Sequence, residues 1–101
     1  MENQQQISKA IQLYEVLGKY IPSRMDFHDD YLAFAGKIVS NLKEGKPEDY
    51  FTSIQIMTGV SRNVLEQSES VDVFDLFISA LVEWRIIELV EFFREIGYPN
   101  E

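Results

Sequence analysis

The 101-residue chain has no cysteine, one histidine, three prolines and nine basic side chains against seventeen acidic ones. The lack of cysteine excludes disulfide scaffolds, cysteine-ligated zinc and thiol nucleophiles. A single histidine excludes multi-histidine metal sites and leaves one candidate for histidine general-base chemistry. The five glycines stand apart from one another, so no phosphate-cradling glycine loop and no Gly-x-Ser-x-Gly elbow is present. There is no Asn-Gly or Asp-Gly hairpin signal, and β-branched residues are scattered. No apolar run is free of charge: Val71 to Ile96, the most apolar stretch, carries Asp75, Glu83, Arg85, Glu88, Glu91, Arg94 and Glu95. A membrane span needs roughly 20 mostly apolar residues, so this stretch reads as helix outside a bilayer. The start, Met1-Glu2-Asn3-Gln4-Gln5-Gln6, lacks a basic segment followed by an apolar one and does not read as a secretory signal. With the missing cysteine, this fits a cytoplasmic protein.

What the chain does have is helical periodicity. Its composition is 46% hydrophobic, which suits a globular domain. At this length residues 1–101 are expected to form one all-α domain of four to five helices. Ile7, Ala10, Ile11, Tyr14 and Leu17 form a first apolar stripe, ended by Ile21-Pro22-Ser23 because the residue before proline avoids helical geometry. Tyr31, Phe34, Ala35, Ile38, Val39 and Leu42 form a second, with Asp26, Asp29 and Asp30 as capping carboxylates at its start. Gly45 is expected to cap its C-terminus, and Pro47 to begin the next helix. Tyr50, Phe51, Ile54 and Met57 mark that helix, which Gly59 closes, and Ser61 caps a short one carrying Val64 and Leu65. A polar break, Gln67-Ser68-Glu69-Ser70, leads into the last segment.

In that segment the polar face changes side. Asp75, Ser79 and Glu83 share one face, whereas Glu88, Glu91 and Glu95 share another, displaced by roughly 150° on a helical wheel. One straight helix against one core cannot satisfy both halves. Either the chain breaks or kinks near Trp84-Arg85, or a long helix uses opposite faces against different partners, one of them another subunit. The aromatic candidates for partner contact are Phe74, Phe77, Trp84, Phe92 and Phe93. Each is equally a candidate for the core.

Charge is divided unevenly. Residues 1–46 hold six basic and six acidic side chains, whereas residues 47–101 hold three basic and eleven acidic, the whole net charge of −8. That bears on two local patterns. Ser53 to Leu65 reads as helix, glycine turn, serine cap, helix, the outline of a helix-turn-helix. Such a module draws much of its affinity from phosphate neutralisation, and residues 47–70 offer Arg62 alone against Glu48, Asp49, Glu66 and Glu69. Nucleic acid is therefore a poor partner, and a DNA-associated regulatory module is the alternative reading. Asp26, His28, Asp29 and Asp30 could ligate a hard or borderline cation, but the ordered spacing and glycine of a calcium loop are missing, and helix capping accounts for the carboxylates. No nucleophile–base pair emerges, so neither enzyme activity nor a cofactor or metal is expected.

From Phe51 to Tyr98 the chain resembles the tail assembly chaperones of long-tailed bacteriophages. The resemblance lies in a helix ending Ile56-Met57-Thr58-Gly59-Val60, a short capped helix with Leu65, and an apolar-acidic helical stretch ending Phe92-Phe93-Arg94-Glu95-Ile96-Gly97-Tyr98. It implies a non-enzymatic role: binding the long helical tape measure protein and keeping its apolar surfaces soluble until tail tube subunits polymerise around it. The family's members include longer, frameshifted forms. The partners expected are a tape measure protein or another helical protein, and further copies of the chain.

Overall fold

A computed structural model describes residues 2–22 and 30–97, with side chains from Ile7 onward. Six α-helices and one 3-10 turn make up the described chain, and no strand occurs among these residues. They are α1 (Glu2–Leu17), α2 (Tyr31–Lys43), α3 (Glu48–Thr58), α4 (Arg62–Gln67), α5 (Ser70–Glu83) and α6 (Ile86–Glu95). The 3-10 turn, Gly18–Tyr20, follows α1 directly. All-α is thus the observed class. The expected long or kinked C-terminal helix is instead two helices, which raises the count to six.

The local signals act where the sequence places them. Ile21 turns extended (φ −74°, ψ 124°) ahead of Pro22 and ends the first segment. Asp30 caps α2 by accepting from the Leu32 N–H at 3.0 Å and the Ala33 N–H at 3.5 Å. Gly59 ends α3 in the left-handed conformation (φ 80°), and Ser61 accepts from the Val64 N–H at 3.4 Å to start α4. Gly45 behaves differently from expectation. The α2 C-cap is Glu44 in right-handed geometry, and Gly45 is not among the positive-φ residues. Its lack of a side chain serves a close approach, since a Cβ there would lie 2.5 Å from the Tyr20 ring.

The core is one cluster drawn from all six helices. Phe34, Ile38, Ile54, Phe77, Leu81 and Ile86 lie at its centre. α1 runs along α3, and α5 packs against both α2 and α3. The first stripe is placed further along α1 than expected: Leu13 and Leu17 are buried, whereas Ile7 is 59% exposed. The buried side is therefore Ala10, Leu13, Tyr14 and Leu17, and it reaches the core only from the third turn. Ser53, the buried polar residue of the core, satisfies its hydroxyl on the Tyr50 carbonyl at 2.8 Å.

Tyr20 ties the connections together. Its hydroxyl donates to Asp49 Oδ2 and accepts from the Lys46 N–H, each at 2.9 Å, while its carbonyl accepts from Asn41 Nδ2 at 2.9 Å. One buried tyrosine thus joins the end of α1, the last turn of α2 and the first turn of α3.

Between α5 and α6 the chain turns in two residues. Trp84 is right-handed (φ −81°, ψ −5°) and Arg85 left-handed (φ 51°, ψ 52°). The rotation of the polar face read in the sequence is this break. α6 then docks with Ile86, Ile87, Val90 and Phe93 inward. Its Ile87 N–H donates to the Tyr31 hydroxyl at 3.2 Å, and Phe93 stacks on Tyr14 with ring centroids 4.7 Å apart.

Candidate functional site: an apolar groove over helices α3, α4 and α5

A concavity with a mainly apolar lining, about 490 Å³, opens between α3, the short α4 and α5. Tyr50 and Phe51 of α3 form one wall, Val73 and Phe74 of α5 the other, and Leu65 of α4 the floor. Val39 closes the α2 side, and Ser68 and Ser70 stand at one end. An engineered apolar cavity of ~150 Å³ accommodates one benzene, so this groove has room for two or three large side chains. It is partly open to solvent, so side chains of a partner could enter it.

Its charge is local and acidic. Arg62 Nε pairs with Glu66 Oε2 at 2.9 Å, and the guanidinium carbon lies 5.0 Å from the Phe51 ring centroid. The cation beside the groove is therefore already engaged by a carboxylate and an aromatic face. Glu66 lines the groove itself.

Tyr50 is the titratable group of the wall, and burial pushes its phenol from 10.0 up to about 12. Its pKa is thus higher folded than unfolded, so the stabilisation is complete below pH 10 and declines as pH climbs towards 12. Urea midpoints measured from pH 9 to 11.5 should fall, and Tyr50→Phe should make that fall shallower.

The five aromatic residues expected to contact a partner separate into three environments. Phe77 is fully buried, with its ring edge-on to Tyr50 at 5.1 Å between centroids, so in this fold it packs the core and presents no surface. Phe93 is likewise buried, against Tyr14. Trp84 is half-buried, and its indole N–H donates to the Met57 carbonyl at 3.1 Å, which anchors the end of α5 to α3. Phe74 is half-buried and lines the groove. Phe92 is 54% exposed, and Ile96, just past the end of α6, is 58% exposed. Phe74, Phe92 and part of Trp84 offer surface, but Trp84 is tied to Met57 and does not line the groove. Sequence reasoning missed Tyr50, Phe51 and Leu65 as groove residues because their helical spacing marks them equally for the core.

The helix-turn-helix outline is present as a corner. Thr58 Oγ1 donates to the Ile54 carbonyl at 2.7 Å and accepts from the Val60 N–H at 3.1 Å, fixing the turn. The second helix, α4, has six residues; Val64 and Glu66 are exposed on it, and Arg62 is paired. Such a face repels phosphate. Of the proposed cation ligands, Asp26, His28 and Asp29 lie outside the described residues, and Asp30 serves as the α2 cap. Among the described residues no three His, Cys, Asp or Glu side chains come together as a metal site, and no helix is long and apolar enough to cross a membrane. Searches with the chain found no matching family model, no matching curated protein and no matching solved structure.

Proposed function

We propose that the chain is a non-enzymatic tail assembly chaperone of a long-tailed bacteriophage, and that it binds an amphipathic helix of the tape measure protein. The observation that supports this reading is the open groove walled by Phe51 and Phe74. A helix laid along it would insert apolar residues at i, i+3 and i+4, the helix-in-groove mode. The acidic excess of residues 47–101 favours a partner with basic residues flanking that apolar row. Phe92 and Ile96 offer further apolar surface at the end of α6.

The test is co-expression with the tape measure protein encoded in the same genome, followed by pull-down and titration. Association is expected, and Phe74→Glu should weaken it by about 2–4 kcal/mol, the range of a buried aromatic anchor, while the helical spectrum is retained. A folded, monodisperse sample that does not associate overturns the reading. Fluorescence titration with duplex DNA at low salt tests the alternative module formed by the corner at Gly59. With Arg62 engaged by Glu66, no binding is expected.

A further inference from the structure

Arg85 is the residue among those described whose conformation its own chemistry opposes. Three described residues have positive φ: Gly59, Gly97 and Arg85. The two glycines suit the left-handed region, because no Cβ meets the following carbonyl. Arg85 has no such freedom, and apart from the change of polar face no turn-forming residue nearby asks for a break. Val82-Glu83-Trp84-Arg85-Ile86-Ile87-Glu88-Leu89 contains neither glycine nor proline, and its composition favours continued helix. The break is imposed by what α6 gains in docking, not by its local sequence.

The docking surface lies far along the chain. α6 seats Ile86, Leu89 and Val90 against Leu13, Leu17 and Ile21, and donates from Ile87 to Tyr31. None of these contacts depends on α6 belonging to the same chain. If Arg85 adopted right-handed geometry, α5 and α6 would join into one helix from Ser70 to Glu95, about 39 Å long. α5 already packs on α2 and α3, so the ten residues of α6 would continue straight on from its end and leave the face of α1 they now cover. The inward residues of α5 (Val73, Phe77, Ala80, Leu81) and of α6 (Ile86, Ile87, Val90, Phe93) would point roughly 135° apart on that helix. The α6 face would then need cover, and the surface shaped for it is the vacated one on a second copy. Two contacts at the junction survive the change. Trp84 stays held to Met57, upstream of the hinge, and Arg85–Glu88 has i,i+3 spacing, which a continuous helix retains.

We propose that Arg85 is the hinge of a helix-exchanged dimer, in which α6 of each copy docks on α1 and the start of α2 of the other. The contacts of α6 with α1 and α2 are remade in the exchange, those with α5 at the junction change, and both hinges lose their left-handed conformation. The proposal stands independently of the tail-assembly reading.

Light scattering across concentration is expected to show a slowly equilibrating dimer. Arg85→Gly, which favours the left-handed turn and disfavours helix, should lower the dimerisation constant about a hundredfold, roughly tenfold per hinge. Arg85→Ile, β-branched and worse in the left-handed region, should raise it. Exchange is distinguished from simple surface association by cross-linking. Gly18 and Leu89 line the same narrow cleft between α1 and α6, and the chain has no cysteine of its own. A Cβ on Gly18 meets Tyr14 at an ordinary 3.6 Å. Chains bearing Gly18→Cys and chains bearing Leu89→Cys, refolded together and treated with a short bis-maleimide, should link to each other within the dimer fraction. Monomer alone at every concentration for both the natural chain and Arg85→Ile overturns the proposal. So does a dimer insensitive to Arg85→Gly, or one in which these two chains do not link.

Discussion

Phe77→Ala is expected to lower the unfolding free energy by about 3–5 kcal/mol, measured as a shift of the urea midpoint at unchanged slope. A domain of this length has a total stability of about 5–15 kcal/mol, so the variant approaches unfolding at room temperature. The melting temperature should fall by roughly 15–30 °C. Phe77 is fully buried in the cluster that holds Phe34, Ile54 and Leu81, with its ring edge-on to Tyr50. Removing the ring leaves a cavity that the helices around it cannot close. Phe92→Ala is the contrasting case, since Phe92 is 54% exposed; its substitution should change stability by less than about 1 kcal/mol. The pair separates core from surface among aromatics that look alike in sequence. A small effect at Phe77 with a large one at Phe92 would mean that the inward face of the C-terminal helices has been wrongly assigned.

That contrast shows why some features were legible in the sequence and others were not. Most signals that act within a few residues read correctly, the Gly45 cap being the exception. Asp30 and Ser61 cap helices because their side chains reach amide groups two or three residues on, and Pro22 constrains Ile21 directly. Gly59 ends α3 because the turn needs positive φ. The break at Arg85 was legible only as a change of periodic phase, since no residue there favours a turn. Burial along α1 was less legible. Periodicity gives the direction of a stripe but not where along the helix the core begins, so Ile7 read as core while Leu13 did not.

The groove depends on distance in space. Phe51 and Phe74 have the spacing of core residues, and they line an opening because α4 covers little of the gap above them. Periodicity cannot report the length of a neighbouring element. The same reasoning applies to the candidate site as a whole: the sequence named Phe74 and Phe92 among five aromatics, but only packing distinguishes them from Phe77 and Phe93. Tyr20 was wholly hidden. Its partners Asn41, Lys46 and Asp49 are 21 to 29 residues away, and no local pattern joins them.

Gly45→Ala tests that junction and is expected to cost about 2–4 kcal/mol. The added Cβ would lie 2.5 Å from a Tyr20 ring carbon and 2.7 Å from its hydroxyl. The ring cannot retreat freely, because Tyr20 is buried and its hydroxyl is held between Asp49 and the Lys46 amide. Overpacking alone accounts for about 1–3 kcal/mol, and each hydrogen bond lost as the ring moves adds about 0.5–1.5 kcal/mol. The cause can be separated from a backbone effect by a double-mutant cycle. In a Tyr20→Leu background the end of the ring is gone, so Gly45→Ala should cost only a few tenths of a kcal/mol, leaving a coupling of about 2 kcal/mol. A glycine required for left-handed geometry would show no such relief. Gly59 provides that comparison within the same chain: its φ is +80° and nothing lies within 4 Å of a Cβ there. Gly59→Ala should therefore cost about 1 kcal/mol whether residue 20 is tyrosine or leucine. Thermal denaturation of the five variants and the natural chain measures both cycles. If Gly45→Ala proved as indifferent to residue 20 as Gly59→Ala, the close approach of Tyr20 would not be the reason for glycine at that position.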